Sequence, residues 1–585
     1  MKEIFTRLQH KCSTSKHANR YLASIFIVTI FLQCCLFHYL AFHSILISAL
    51  WKNPLAFMSF YLPKLSICFF FAVFIFLFKR KKWIVICSIL INIWIITELI
   101  YSRANSIFLD AYSMTMIDNL DGFWDSIFAF IKSVDFLFCI PTILLILASY
   151  LFNNNDINIR YGLYCFIISL VFNIVGLLGI WIIGKEYHEN DIKYSYTINP
   201  FGKKIKHMIY SEDIQETTIA QYIYFTSVIH HFALNIVDLF RMETDTYRLS
   251  ISEEEKISQF INPVCTYKEP QTPLIICLLE SFETWSISPY TTPNLYNEIK
   301  NNQNIIFCPN VISQRRAGVS ADGQMIVNTG LLPLQSGAAA FRFPLNKYPS
   351  LSELYKKSAA FFPHKLDVWN QNYMNIAYSI DSGIVVRRSD KDVFINMISL
   401  RDDYDYILGV TIASHAPFTN FSDSSKLEFQ KNMPSAMVRY LKCINYTDKC
   451  LGLLFEALKN DLKLQNATIV ITADHNIFKE EDYSYFKQFE DISGLTYQIN
   501  QYCPLVIFSK KITGNIEIQD TCYQMDIFPT ILHLIGCEDY YWKGFGVNLL
   551  DSVARNNRPI CEQEAFILSD KLIRANWFES YTKEK

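Results

Sequence analysis

Leu274-Ile275-Ile276-Cys277-Leu278-Leu279 is a run of six apolar residues that stops abruptly at Glu280 and continues as Ser281, Phe282 and Glu283. Its branched side chains suit a strand buried on both faces, as in a parallel sheet covered by helices. The carboxyl ends of such strands border the crevice where ligands bind, which puts Glu280 where chemistry is expected; a strand that has simply reached solvent is the other reading. A second apolar run, Ala467 to Thr472, ends the same way in Ala473-Asp474-His475. Two strand endings of this kind, supplying carboxylate oxygens and an imidazole nitrogen, point to a metal.

Outward from these strands, the chain after about Thr272 alternates strands and helices, the pattern of a mainly parallel α/β sheet with helices on both faces. Met437, Tyr440, Leu441, Ile444, Leu451, Leu454 and Leu458 recur at helical steps and predict a helix over Pro434 to Leu458. It runs into the strand that carries Asp474. A later strand is expected at Pro504 to Phe508, then a helix over Met525 to Ile535 with Asp526 near its start and Gly536 just past its end.

The first third of the chain is different. Of 585 residues, 51% are hydrophobic and only 18% charged, and nearly all of the apolar surplus lies before residue 185. Five segments there, Tyr21 to Leu50, Phe60 to Phe78, Trp83 to Tyr101, Phe136 to Phe152 and Tyr161 to Gly184, approach the ~20 residues that cross ~30 Å of hydrocarbon as helix. Lys2, Arg7, Lys11, Lys16, Arg20, Lys79, Arg80, Lys81, Lys82 and Arg160 fall on one side of these spans and outnumber Lys52, Lys64, Arg103 and Lys132 in the short loops opposite. The bias predicts a cytoplasmic N-terminus and, after an odd number of spans, an extracytoplasmic remainder.

Smaller features follow from the same pass. Glu98 reads as an interfacial carboxylate, Phe123 to Phe130 as an amphipathic stretch on the membrane surface, Ile219 to Phe240 as a juxtamembrane helix and Ser250 to Lys256 as a hinge. A net charge of -2 without a Lys/Arg stripe outside the membrane flanks excludes nucleic acid as a partner. The sixteen cysteines show no zinc-ribbon spacing, and the nine after residue 185 leave at least one thiol unpaired.

Glu280, Asp474 and His475 form a mixed oxygen and nitrogen set that suits Zn²⁺ or Mn²⁺, with Mg²⁺ as a third candidate. In Gly318-Val319-Ser320-Ala321-Asp322-Gly323-Gln324, small residues before an expected helix start would let Ser320 approach a metal and a phosphate. A metal-bound serine hydroxyl becomes a usable nucleophile near neutral pH; a helix N-cap is the alternative role for Ser320.

The five spans, Leu278-Leu279-Glu280-Ser281-Phe282, the Gly318-x-Ser320-x-Asp322 segment, Ser414-His415-x-Pro417-Phe418, Ala473-Asp474-His475 and Met525-Asp526-Ile527-x-Pro529-Thr530 together resemble the lipoteichoic acid synthases and their relatives. Those are membrane phosphoglycerol or phosphoethanolamine transferases of the alkaline phosphatase and sulfatase superfamily. The resemblance implies a transmembrane domain at residues 1–184, a connector at 185–265, a sulfatase-like catalytic domain at 266–575 and a tail at 576–585. It implies one divalent metal ion on Glu280, Ser320, Asp474 and His475, with Ser320 in place of the family's threonine nucleophile and His415 touching phosphate or protonating the leaving alkoxide.

By the same resemblance His364, Trp369 and Asn370 would bind the head group, the donor would be phosphatidylglycerol or phosphatidylethanolamine, and the acceptor an envelope glycan or lipid. One departure stands out: Gln371 occupies the position of the family's arginine, which removes a bidentate phosphate contact and leaves Arg342, Lys347 or Lys365 as replacements. A sulfatase is disfavoured, because Cys308-Pro309-Asn310-Val311 lacks the Cys/Ser-x-Pro/Ala-x-Arg context. A second metal is disfavoured by the scarcity of histidines after 475. A phosphodiesterase that passes the group to water, or an inactive membrane-tethered scaffold, are the competing readings.

Overall fold

The computed structural model describes residues 10, 12–15, 17–41, 54–79, 82–105, 108–114, 127–128, 130–152, 156–185, 194–198, 204–208, 226–241, 247–263, 268–335, 337–387, 389–419, 427–429, 433–478, 488–490 and 496–584. These fall into two compact units, one of residues 1–111 and 127–243, the other of residues 112–126 and 244–585.

Among the described residues the first unit has five helices long and apolar enough to cross a membrane: Ala18–Ala41, Phe57–Leu77, Lys82–Arg103, Ser133–Leu151 and Ile159–Gly179. Polar side chains tie them together. Gln33 Nε2 donates to Asn92 Oδ1 at 2.6 Å, and Asn92 Nδ2 donates to Phe138 O at 2.9 Å. Buried amide contacts of this kind hold apolar helices in register where lipid offers no hydrophobic drive between them. Residues 42–50 of the expected first span, and residues 123–126 and 129 of the expected surface stretch, lie outside the described residues.

Glu98 differs from its expectation. It is fully buried, receives Leu109 N–H at 3.0 Å and pairs with His231 at 2.7 Å. Of the expected juxtamembrane helix, Val228–Arg241 is helical and residues 219–225 lie outside the described residues; two short strands, β1 (Tyr194–Ile198) and β2 (Lys204–Met208), pair antiparallel. The stretch expected as a hinge is instead the start of a helix, Ile251–Ser258. Ser250 and Glu253 form a capping box there, and that local pairing overrides the charge-rich composition.

The second unit is built on a nine-stranded sheet. Its strands are β3 (Leu274–Leu279), β4 (Asn304–Ile312), β5 (Ser358–Phe362), β6 (Ser382–Val385), β7 (Tyr406–Val410), β8 (Thr468–Ala473), β11 (Cys503–Phe508), β12 (Gly514–Glu517) and β13 (Cys522–Tyr523). A separate pair, β9 (Gln488–Glu490) and β10 (Thr496–Gln498), lies between β8 and β11 in sequence. The order is β12-β4-β11-β8-β3-β7-β5-β6, with β13 also on β4. β3 is central, runs parallel to β7 and β8, and is buried along its whole length, as the unbroken apolar run requires.

Only β11 runs against its neighbours, antiparallel to both β4 and β8. Two reversals restore direction, so β4 points the same way as β8. The carboxyl ends of β3, β4, β5, β7 and β8 therefore share one edge of the sheet. The expected long helix is Ser435–Asn460, with Met437, Tyr440, Leu441, Ile444, Leu451 and Leu454 buried. The helix Ile527–Ile535 ends at Gly536, which takes the left-handed conformation (φ 79°) that closes a helix cheaply only as glycine. The chain closes with the helix Trp577–Glu584, whose Phe578 packs on the ring of Trp542 at 5.2 Å.

Candidate metal centre and nucleophile

Topology brings the expected residues to one place. Glu280 follows β3, Ser320 follows β4, His415 follows β7 and Asp474 follows β8, all at the same sheet edge. One ligand atom from each of Glu280, Asp474 and His475 lies within 4.8 Å of the others, and all three residues are buried. Ser320 Oγ is 3.4 Å from Glu280 Oε2 and 3.3 Å from His475 Nε2. Four side chains drawn from three strand ends thus converge.

The loop after β4 is shaped to put the hydroxyl there. Asp322 Oδ2 accepts from Arg316 N at 2.8 Å and Gly318 N at 2.9 Å, curling the chain back on the first turn of the helix Val319–Thr329. A Cβ on Gly318 would come within 2.0 Å of Asp322 Oδ1 and would displace the carboxylate that holds this turn. Val319 sits at φ 43°, an outlier for a β-branched residue, directly before Ser320. Gly318, not Ser320, caps the helix; Ser320 lies inside the first turn with its hydroxyl toward the cluster. One turn on, a Cβ on Gly323 would stand 2.3 Å from Asp474 O, so helix and metal-strand backbones touch.

The electrostatics fit a cation. Burial, and then the charge of Asp474, push the Glu280 carboxyl well above the ordinary carboxylate range. Asp474 Oδ1 accepts from Ser281 N at 2.9 Å and His475 N at 2.7 Å, while its Oδ2 is buried and accepts no hydrogen bond from a described residue. That orphan oxygen is the observation a divalent ion would explain. His475 lies 2.9 Å through Nδ1 from Asn476 O, a pure acceptor, so the proton sits on Nδ1 and the Nε2 lone pair faces the cluster. Burial also lowers the His475 pKa to about 4, which keeps the ring neutral as a ligand must be.

The surroundings contain partners that the sequence did not mark. Thr411 Oγ1 accepts from Glu280 N at 2.8 Å, and Ser414 Oγ donates to Glu280 O, fastening the His415 loop to the strand end. Asp390, fully buried, accepts from Ile412 N at 2.8 Å, Ala413 N at 3.0 Å and Thr447 Oγ1 at 2.7 Å, and so fixes the same loop from behind. His415 is near enough to His475 for the two rings to interact electrostatically. The only local signal for Asp390 was an acidic residue in a first helical turn, which is common everywhere.

His364, Trp369 and Asn370 follow β5 at the same edge but engage other partners. His364 Nδ1 lies 3.0 Å from Lys365 O, Trp369 packs on Phe341 at 6.1 Å between ring centroids, and Asn370 Nδ2 donates to Ala340 O at 2.9 Å. Trp369 and Asn370 both have left-handed backbones, at φ 51° and 55°. Gln371 is turned inward and buried, donating to Gln324 Oε1 on the Ser320 helix at 3.0 Å. Of the proposed replacements for the missing arginine, Arg342 lies over the Tyr112 ring at 3.8 Å.

Two family models match separate parts of the chain. Residues 1–196 match the lipoteichoic acid synthase N-terminal domain and residues 340–537 match the sulfatase family, a region that includes His415, Asp474 and His475. Lipoteichoic acid synthase from Staphylococcus saprophyticus is 21% identical over 95% of this chain and 88% of its own length. Lipoteichoic acid synthase 1 from Bacillus subtilis is 24% identical over 48% of this chain; there the match spans about half (49%) of that relative. Among solved structures, the lipooligosaccharide phosphoethanolamine transferase A from Neisseria meningitidis superposes with a TM-score of 0.51 at 11% identity, over 89% of this chain and 95% of that one, and so shares the fold. The chain thus carries a lipoteichoic acid synthase N-terminal domain match ahead of a sulfatase family match, and is similar along most of its length to lipoteichoic acid synthases.

Proposed function

We propose that the protein moves a phospho-alcohol head group, phosphoglycerol or phosphoethanolamine, from a membrane phospholipid to an envelope glycan or lipid through a phospho-serine on Ser320. The observation that carries this reading is Ser320 Oγ lying within 3.4 Å of both Glu280 and His475. Glu280, Ser320, Asp474 and His475 would hold one divalent ion, Mn²⁺ or Zn²⁺ before Mg²⁺. When bound, such an ion lowers the pKa of the hydroxyl and offsets charge on the phosphate.

The rest falls to the chain. Ser320 loses its proton to solvent, and Oγ attacks phosphorus; the Oγ–P bond forms as the P–O bond to diacylglycerol breaks. His415, held by the Asp390-pinned loop, delivers a proton to the departing alkoxide. An acceptor hydroxyl then gives its proton to His415 and attacks the phospho-serine; the new O–P bond forms as the Ser320 Oγ–P bond breaks, and Ser320 leaves as the alkoxide. His364, Trp369 and Asn370 would orient the head group. Residues 1–184 act as anchor and 266–575 as catalytic domain, outside the cytoplasm with the N-terminus inside, which concentrates a lipid donor at the site.

The similar proteins include both lipoteichoic acid synthases and a phosphoethanolamine transferase, and the inward-turned Gln371 leaves the choice of head group to other residues. The test is turnover of labelled phosphatidylglycerol and phosphatidylethanolamine by the full chain with Mn²⁺ or Zn²⁺. Release of diacylglycerol, with phosphate trapped on Ser320, is the expected result. A protein that binds metal yet turns over neither lipid would overturn the reading in favour of a tethered scaffold.

A further inference from the structure

The helix Val228–Arg241 in the first unit is inside-out. Its described exposed residues, Phe232, Ala233, Ile236, Val237, Leu239 and Phe240, are all apolar, with Phe240 85% exposed. The side chains it buries include His231 at 1% and Asn235 at 2%. A water-soluble amphipathic helix distributes these the other way round.

Its buried edge is locked to the third span. His231 Nδ1 lies 2.7 Å from Glu98 Oε1, and Asn235 Nδ2 is 3.3 Å from both His231 Nε2 and Leu109 O. Glu98 Oε2 closes the set by accepting Leu109 N–H at 3.0 Å. The helix begins deep along that span: Trp94 Nε1 donates to Val228 O at 3.0 Å, and the Trp94 and Phe232 rings are 4.9 Å apart. Trp94 precedes Arg103, the end of the span, by nine residues, about 13 Å at 1.5 Å per residue. The first turn of the helix thus lies below the mouth of the span, where its outward face continues the lipid-facing surface of Leu90 and Ile93.

We propose that Val228–Arg241 is an additional bilayer-embedded element, its Phe232, Ile236, Val237, Leu239 and Phe240 face packed against acyl chains and its polar edge held by the contact between His231 and Glu98. The inference rests on reading the five long helices as spans. A buried carboxylate with a histidine at membrane depth is costly, and here its use is to satisfy the inner edge of a helix whose other face is lipid.

The test places the photo-cross-linking residue p-benzoylphenylalanine, one site at a time, at Ile236 and Phe240 of the full chain in lipid nanodiscs, and reads lipid adducts by mass spectrometry. Leu90 on the third span is the lipid reference and Leu462, exposed in the second unit, the aqueous one. Adduct yield at Ile236 and Phe240 is expected to match Leu90 and exceed Leu462 by roughly tenfold, as burial in the acyl boundary implies. Yields like that of Leu462, or cross-links to protein instead of lipid, with Leu90 still labelled, would overturn the proposal alone. Loss of labelling at Leu90 as well would overturn the spans and the proposal together.

Discussion

Two buried carboxylates in the second unit meet opposite fates. Asp526 is fully buried and fully answered: Arg558 grips it in a fork at 2.6 and 2.8 Å, and Tyr523 N and Val547 N add bonds at 2.8 and 3.0 Å. Asp474 is as deeply buried, shares its cavity with a second carboxylate, Glu280, and keeps one oxygen unanswered. A carboxylate that the chain supplies with its own cation is structure; one left open beside another carboxylate is a seat for a cation from outside.

The contrast can be broken in several ways. Ser320→Ala should lower head-group release by about 10³-fold or more while leaving the unfolding midpoint in place, since the serine acts at the open site alone. Unchanged release would mean that another group attacks phosphorus. Arg558→Ala strands the Asp526 charge and should cost about 3–4 kcal/mol, read from the urea midpoint. A loss under about 1 kcal/mol would place Asp526 with the weakly coupled surface pairs.

Adding Mn²⁺ or Zn²⁺ at about 100 times its Kd should stabilise the parent by about 2.7 kcal/mol and leave Asp474→Asn unmoved. Equal stabilisation of both proteins would place the ion elsewhere. Asp448 supplies an intermediate case, a carboxylate answered by amides alone: it accepts from Asn294 N at 3.0 Å, Asn294 Nδ2 at 2.9 Å and Leu295 N at 2.8 Å. Burial raises its pKa from 3.8 to about 6, so the folded state holds this proton more tightly than the unfolded chain. Its stabilising contribution is present below about pH 4 and lost as pH rises through about 6; Asp448→Asn should remove that slope, on the order of 2 kcal/mol across the window. With metal chelated, Asp474→Asn relieves the repulsion at Glu280 and should raise stability by about 1 kcal/mol, the smallest effect and the one opposite in sign to Arg558→Ala.

How much could be read from residues alone follows the same physics. β3 and β8 were legible because an unbroken apolar run ending in a charge has few explanations, and the helix Ser435–Asn460 because its stripe is long and regular. The meeting of Glu280 with Asp474 and His475 was legible through strand endings, and Ser320 joined them only through the family resemblance; the reversal at β11 was not legible, since a fully buried strand carries no mark of its orientation. Glu98 was misplaced because its partner His231 is more than a hundred positions away. Asp390 and Thr411 escaped notice because they act through backbone amides and hydroxyls, which leave no spacing pattern. Asp526 looked like helix punctuation until Arg558 was seen in its fork.

The bare glycine at 323 has a mechanical consequence. Because main chain rests on main chain between the Ser320 helix and Asp474 just after β8, the approach of that helix to the Glu280–Asp474–His475 cluster is fixed by peptide geometry. Drift in the surrounding core can therefore accumulate without separating the two, whereas a single added methyl at this point would wedge them apart.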